Sequence, residues 1–156
     1  MSGLRYVTGD ATAPEGSGPR IIAHICNDAH AWGAGFVVAI SRRWVQPEAH
    51  YRANPAELGV VEFVEVEPDL WVANMCAQHG FPTRQRPVAV DYVALVSCLN
   101  AVAAEAKRLG ASVHGPRFGS GIAGGRWEMI EALIQKQLVA AGVDVTIYDL
   151  PKGPRS

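Results

Sequence analysis

Two glycine-rich stretches carry the residue types with the clearest chemical use: Asn27-Asp28-Ala29-His30-Ala31-Trp32-Gly33-Ala34-Gly35 and Gly119-Ser120-Gly121-Ile122-Ala123-Gly124-Gly125. Each follows a short apolar run and leads into a segment with helical apolar spacing. Glycine lets the main chain approach an anion closely, and the start of a helix points free N–H groups at it. A pair of such loops therefore reads as a phosphate cradle. Neither is a Walker motif, because no Gly-Lys-Ser/Thr follows. Neither is a dinucleotide fingerprint, because no Gly-x-Gly-x-x-Gly sits after the first strand-like run. The cysteines Cys26, Cys76 and Cys98 lie in apolar segments without a CxxC pair. That spacing suits buried free thiols in a reducing compartment, with neither disulfides nor a zinc site.

The elements that must position these loops follow from periodicity. Leu4–Thr8 alternates like a strand with one exposed face, and residues 11–19 form a Pro/Gly/Ser loop. Ile21–Cys26 is continuously apolar, as in a strand covered on both faces. Phe36, Val37, Ile40 and Trp44 define a helix that Pro47 is expected to stop. Two strands are expected over Val60–Val66 and Leu70–Cys76, followed by a polar loop, Gly80–Pro87. A long helix is expected from an Asp91 N-cap to Gly110, then a short strand, Ser112–His114. A second amphipathic helix carries Trp127, Ile130, Leu133, Ile134 and Leu138, and a last strand runs Val143–Leu150 before a tail, residues 151–156. Strands interleaved with helices predict one α/β domain over residues 1–156, with a mixed or parallel sheet covered on both faces.

Composition agrees. In 156 residues the apolar share is 49%, the charged share 19%, and the formal net charge −1. No excess of positive charge points to a nucleic-acid or membrane surface. The first residues, Met1–Arg5, lack an apolar core, so no signal peptide is expected. No apolar run reaches about 18 residues, so no membrane span is expected either. The expected location is the cytoplasm.

In order along the chain, Tyr6-Val7-Thr8-Gly9-Asp10, His24-Ile25-Cys26-Asn27-Asp28, Trp32-Gly33-Ala34-Gly35, Pro116-Arg117-Phe118-Gly119-Ser120-Gly121-Ile122-Ala123-Gly124-Gly125-x-Trp127 and Val145–Leu150 resemble the macrodomains. The resemblance covers nearly the whole chain. It is closest to the branch containing the terminal ADP-ribose protein glycohydrolase and the macrodomain antitoxin that strips ADP-ribose from DNA. It implies a three-layer α/β/α sandwich around a mixed sheet of about six strands, and a cleft for ADP-ribose. Asp10, with Ala11 beside it, matches the adenine-binding carboxylate position. Gly33, Ala34, Gly35, Phe36 and Val37 match the loop against the distal ribose and diphosphate, with Trp32 as a wall of the ribose pocket. Gly119, Ser120, Gly121, Ile122, Ala123 and Gly124 match the second diphosphate loop. Tyr148, Asp149 and Leu150 fall at the adenine side. The implied partners are ADP-ribose, mono-ADP-ribosylated protein and, as a second substrate, ADP-ribosylated DNA, with no cofactor and no metal.

The chain departs from that branch where its relative resembles a Schiff-base enzyme. Its lysines are Lys107, Lys136 and Lys152, and Ala77-Gln78-His79 stands where a lysine is expected. The loop aspartate position is Ala123 or Gly124. A lysine-based covalent route is therefore excluded. Hydrolysis by a positioned water remains, with Asn27 holding the distal ribose and Asp28 orienting it or acting as base. A reader that binds without turnover and a phosphatase for ADP-ribose phosphate are the alternatives. Gln78, His79 and His30 are weaker candidates for the cleft. His24 and His114 lie in buried runs and read as core residues.

Overall fold

The computed structural model describes residues 3–151. Six strands form one sheet: β1 (Leu4–Thr8), β2 (Arg20–Asn27), β3 (Val61–Glu67), β4 (Leu70–Gln78), β5 (Ser112–Gly115) and β6 (Val145–Asp149). Their order is β1-β6-β5-β2-β4-β3, and only the β3–β4 pair is antiparallel. The parallel strands thus end along one edge, where their loops gather.

Four helices cover the two faces: α1 (Phe36–Arg43), α2 (Gln46–Ala53), α3 (Tyr92–Leu109) and α4 (Trp127–Gln137). Alternation along β2 assigns the layers. Ile21 and Ala23 pack with Leu95, Leu99 and Val102 of α3 and Ile130 and Ile134 of α4. Ile22 and Cys26 pack with Val37 and Ile40 of α1 and Tyr51 of α2 on the other face. This is the expected three-layer α/β/α sandwich with a mixed six-stranded sheet. Asp91 caps α3 by accepting from Ala94 N at 2.9 Å, and Gly110 ends it at φ 66°.

One element was not expected. α1 does end before Pro47, at Arg43, but Pro47 then lies in the first turn of a second helix, α2. Proline lacks an N–H that the first turn would leave unpaired anyway, so it starts a helix as readily as it stops one. The buried face of α2 is narrow, Pro47 and Tyr51, which is why its period is faint in the sequence.

The cleft comes from unequal strand lengths. β2 pairs with β5 only from Arg20 to Ile22, and with β4 over its whole length. Beyond Gly115 the chain turns away, leaving the end of β2 uncovered on that side. Only glycine permits the turn, because a Cβ at Gly115 would lie 2.6 Å from Ala23 O. His24, Ile25, Cys26 and Asn27 become the floor of the gap.

Candidate active site

The gap is a cleft of about 520 Å³ between the loops that follow β2, β4 and β5. Gly33, Ala34, Gly35, Phe36 and Val37 form one wall and Gly119, Gly121, Ile122 and Ala123 the other, with Gln78 and Phe81 at the β4 end. The two glycine loops nearly meet. A Cβ at Gly35 would lie 3.2 Å from Ile122 Cδ1. Gly35 adopts φ 85° and ψ −152°, a region open essentially to glycine alone. Among the described residues, the N–H groups of Gly35, Phe36 and Val37 donate to no protein acceptor, and neither do those of Gly121, Ile122 and Ala123. Two sets of free main-chain donors therefore flank the cleft, one of them at the start of α1.

Among the described residues, Arg117 is the only charged one in the lining, which includes no aspartate, glutamate or lysine. It makes a paired contact with Asp149, Nε to Oδ1 at 2.8 Å and Nη2 to Oδ2 at 3.1 Å. Its guanidinium lies 4.8 Å from the centre of the Tyr6 ring and 5.5 Å from that of Trp127. The cation is thus fixed at the β5–β6 end of the cleft. Cys26 lies in the floor, but burial, reinforced by the neighbouring Cys76, pushes its thiol pKa well up, so it is no nucleophile. Among the described residues no group of three or more His, Cys, Asp or Glu could hold a metal ion.

Asn27 reaches the cleft, but its side chain is largely committed. Its Oδ1 accepts from Ala29 N at 3.0 Å and Ala31 N at 3.1 Å and lies 3.0 Å from the Tyr51 hydroxyl. Its Nδ2 donates to Ala31 O at 2.9 Å, leaving one N–H. Asp28 is absent from the lining, against expectation. Its carboxylate turns toward the loop after β4, accepting from Gly80 N at 2.8 Å and meeting His79 Nδ1 at 2.6 Å. Burial tends to raise its pKa, but the hydrogen bonds from His79 and Gly80 win and hold it below the ordinary carboxylate value. In this arrangement the carboxylate is committed to the loop after β4 and does not line the cleft.

Several further positions differ from expectation. Trp32 is buried away from the cleft, donating to Ser41 Oγ at 2.8 Å and packed on His24 and Tyr51. Ser120 and Gly124 face away: Ser120 Oγ donates to Arg117 O at 2.7 Å, and Gly124 packs against Pro87 O. Of the five positions expected at the adenine side, Asp10, Ala11, Tyr148, Asp149 and Leu150, none lines the enclosed cleft. Burial tends to raise the Asp10 pKa, but two hydrogen bonds from Thr12 and the nearby Arg43 outweigh it and hold the carboxyl below its ordinary value. Ala11 is buried. The Tyr148 hydroxyl accepts from Glu15 N at 2.8 Å and lies 2.7 Å from His114 Nδ1, so this ring belongs to the core. Leu150 is 72% exposed. His30 contacts Asn54 O at 2.7 Å on the α2 side, and His79 lies outside the lining with Asp28.

The sequence reading missed His24, Ile25, Phe81 and Phe118 as lining residues and ranked Gln78 among the weaker candidates. Alternation gave His24 a buried face correctly. It could not say that β5 stops short and opens that face.

Comparison with known proteins agrees with this architecture. A solved macrodomain protein from Streptomyces coelicolor is 50% identical, with 94% of this chain and 99% of that one covered at a TM-score of 0.83. The chain belongs to the macrodomain family. Mouse chromodomain-helicase-DNA-binding protein 1-like is 31% identical over 163 residues, which cover 96% of this chain. The chain spans only 18% of the length of that curated relative. Thermosipho africanus DarTG, solved in complex with ADP-ribose, superimposes on 88% of this chain and 39% of its own at a TM-score of 0.69. At 17% identity that likeness is one of fold. No family model matches the sequence.

Proposed function

We propose that this macrodomain binds ADP-ribose in the cleft and releases it from ester-linked acidic side chains of mono-ADP-ribosylated protein, using water and no lysine. The observation that carries the reading is the lining itself: among the described residues it has two facing sets of free main-chain N–H groups, one fixed cation, and no carboxylate or lysine. Such donors suit a diphosphate. The ADP-ribose held by the fold-related DarTG supports the choice of ligand.

The chemistry must then be modest in what it asks of the protein. An ester of C1'' of the distal ribose has a carboxylate leaving group with a pKa of about 4, which departs without a proton. Attack of water at that carbon passes through an oxocarbenium-like state. Its positive charge is favoured by the neighbouring diphosphate. The remaining work is placement, which Gln78 and Asn27 can perform. Gln78 Nε2 donates to Gly80 O at 2.9 Å, and its Oε1 has no donor among the described residues. Asn27 keeps one N–H.

The same lining favours a second reading, a reader that binds without turnover, because no side chain in the cleft is a ready general base. Incubation with ester-linked ADP-ribosylated protein and thymidine-linked ADP-ribosylated DNA, beside calorimetry with free ADP-ribose, separates them. Release from the protein ester is expected. Binding without release from either substrate leaves the reader, and no binding removes both readings. Release from DNA alone would move the substrate to modified nucleic acid.

A further inference from the structure

Asp28, excluded from the cleft, holds a loop that is not. The segment after β4 is tied at several points: His79 N to Ala89 O at 2.9 Å, Thr83 N to Arg86 O at 2.8 Å and Arg86 Nη2 to His79 O at 3.2 Å. Ala89 N in turn donates to Ala123 O at 2.8 Å, fastening the segment to the second glycine loop. From the other side, Asp28 grips Gly80 N and His79 with one oxygen each. Gly80 takes φ 57°, which reverses the chain just before Phe81. The Phe81 ring lines the cleft while 46% exposed, and Ile122, 54% exposed, lines the facing side. An ordered loop thus presents an apolar ring to the mouth of a cleft where it finds little cover.

Sheet order sets Phe81 and the fixed cation on opposite sides of β2. Arg117 follows β5 and is bound to Asp149 at the end of β6, whereas Phe81 follows β4 on the opposite side of β2. If the nucleoside lies toward β6 and β1, Phe81 meets the far end.

We propose that Phe81 is a specificity-determining contact for the terminal sugar of the ligand and the group attached to it, and that Asp28 is the positioning residue that sets it there. The inference rests on the ADP-ribose reading. The apolar face of a ribose laid on the ring would cover surface now left in water.

Calorimetry with two free ligands tests it: ADP-ribose, and ADP, which lacks the terminal sugar. F81A is expected to weaken ADP-ribose by about tenfold, the size expected for one exposed apolar contact, and to leave ADP unchanged. F81L is expected to recover part of the loss. D28N is expected to weaken ADP-ribose by a smaller factor, again sparing ADP, which a general loss of fold would not do. Equal weakening of both ligands by F81A, or of neither, overturns the proposal while the ADP-ribose reading stands. Failure of the unaltered protein to bind ADP-ribose overturns both.

Discussion

The two glycine loops face each other across one cleft but are built differently. The first is held by side chains: Asn27 braces Ala29 and Ala31, Tyr51 supports Asn27, Arg52 donates to His30 O at 3.0 Å, and Asp28 ties the neighbouring segment. The second is held by main-chain proximity. Gly125 N donates to Gly119 O at 2.7 Å, and a Cβ at Gly119 would lie 2.9 Å from Ile130 Cδ1 and 3.0 Å from Ile25 Cδ1. One loop spends its polar residues on its own shape, and the other gains much of its shape from glycines packed where a Cβ would not fit. Polar residues in a ligand-binding loop are therefore poor evidence of catalysis until their partners are known.

The largest expected effect breaks the second loop. Gly124 has φ 73° and its Cβ position falls against the Pro87 carbonyl. Gly124→Ala should cost about 3 kcal/mol or more and abolish ADP-ribose binding. Denaturant unfolding and calorimetry check both. Unchanged stability would mean that the close packing is dispensable.

Acid acts beneath both loops. His24 lies under the first, and His114 sits on β5, which feeds the second. Burial lowers each to a pKa of about 4, with Arg20 and Arg5 adding to the effect at His114. Each folded pKa is depressed below the unfolded value of about 6.5, so the unfolded chain binds more protons between those limits. Stability should fall as pH drops from about 6.5 toward 4, by up to about 3 kcal/mol per histidine. Thermal melts across that range measure it, and a flat profile from pH 7 to 5 would contradict neutral burial.

Asn27→Ala should cost about 2 kcal/mol, because it leaves Ala29 N and Ala31 N without their acceptor. It should also slow release more than it weakens binding. Full turnover in a stably folded N27A protein would remove Asn27 from the mechanism and leave it as a brace.

Asp28→Asn should have the smallest effect on stability, about 1 kcal/mol. Its folded pKa is depressed, so its stabilisation is present above the unfolded value and lost only as pH falls through the folded one. Hydrogen exchange at Gly80 reports the release of the clamp. Turnover in D28N should fall no further than ADP-ribose affinity does; a much larger fall would restore Asp28 as a base.

Much of the fold was legible in the sequence. Continuous apolar residues in Ile21–Cys26 and the stripe through Tyr92, Leu95, Leu99 and Val102 fixed a buried strand and a long helix, because burial on one face or two leaves a period. Both glycine loops were legible for a similar reason, since positive φ and close approach admit few other residues. α2 was not, because it buries only Pro47 and Tyr51.

What the sequence alone determined is the pair of loops and the strands that deliver them; the place of the missing lysine came only from the family resemblance. Only the tertiary structure decided which side chains face the cleft. Asp28 is adjacent to Asn27 in the chain, yet its carboxylate is drawn to Gly80 and His79, residues about 50 positions away. Phe81 reaches the cleft because that clamp and Gly80 turn it there. Side-chain direction at a loop depends on partners that are distant in sequence, and no local period encodes them.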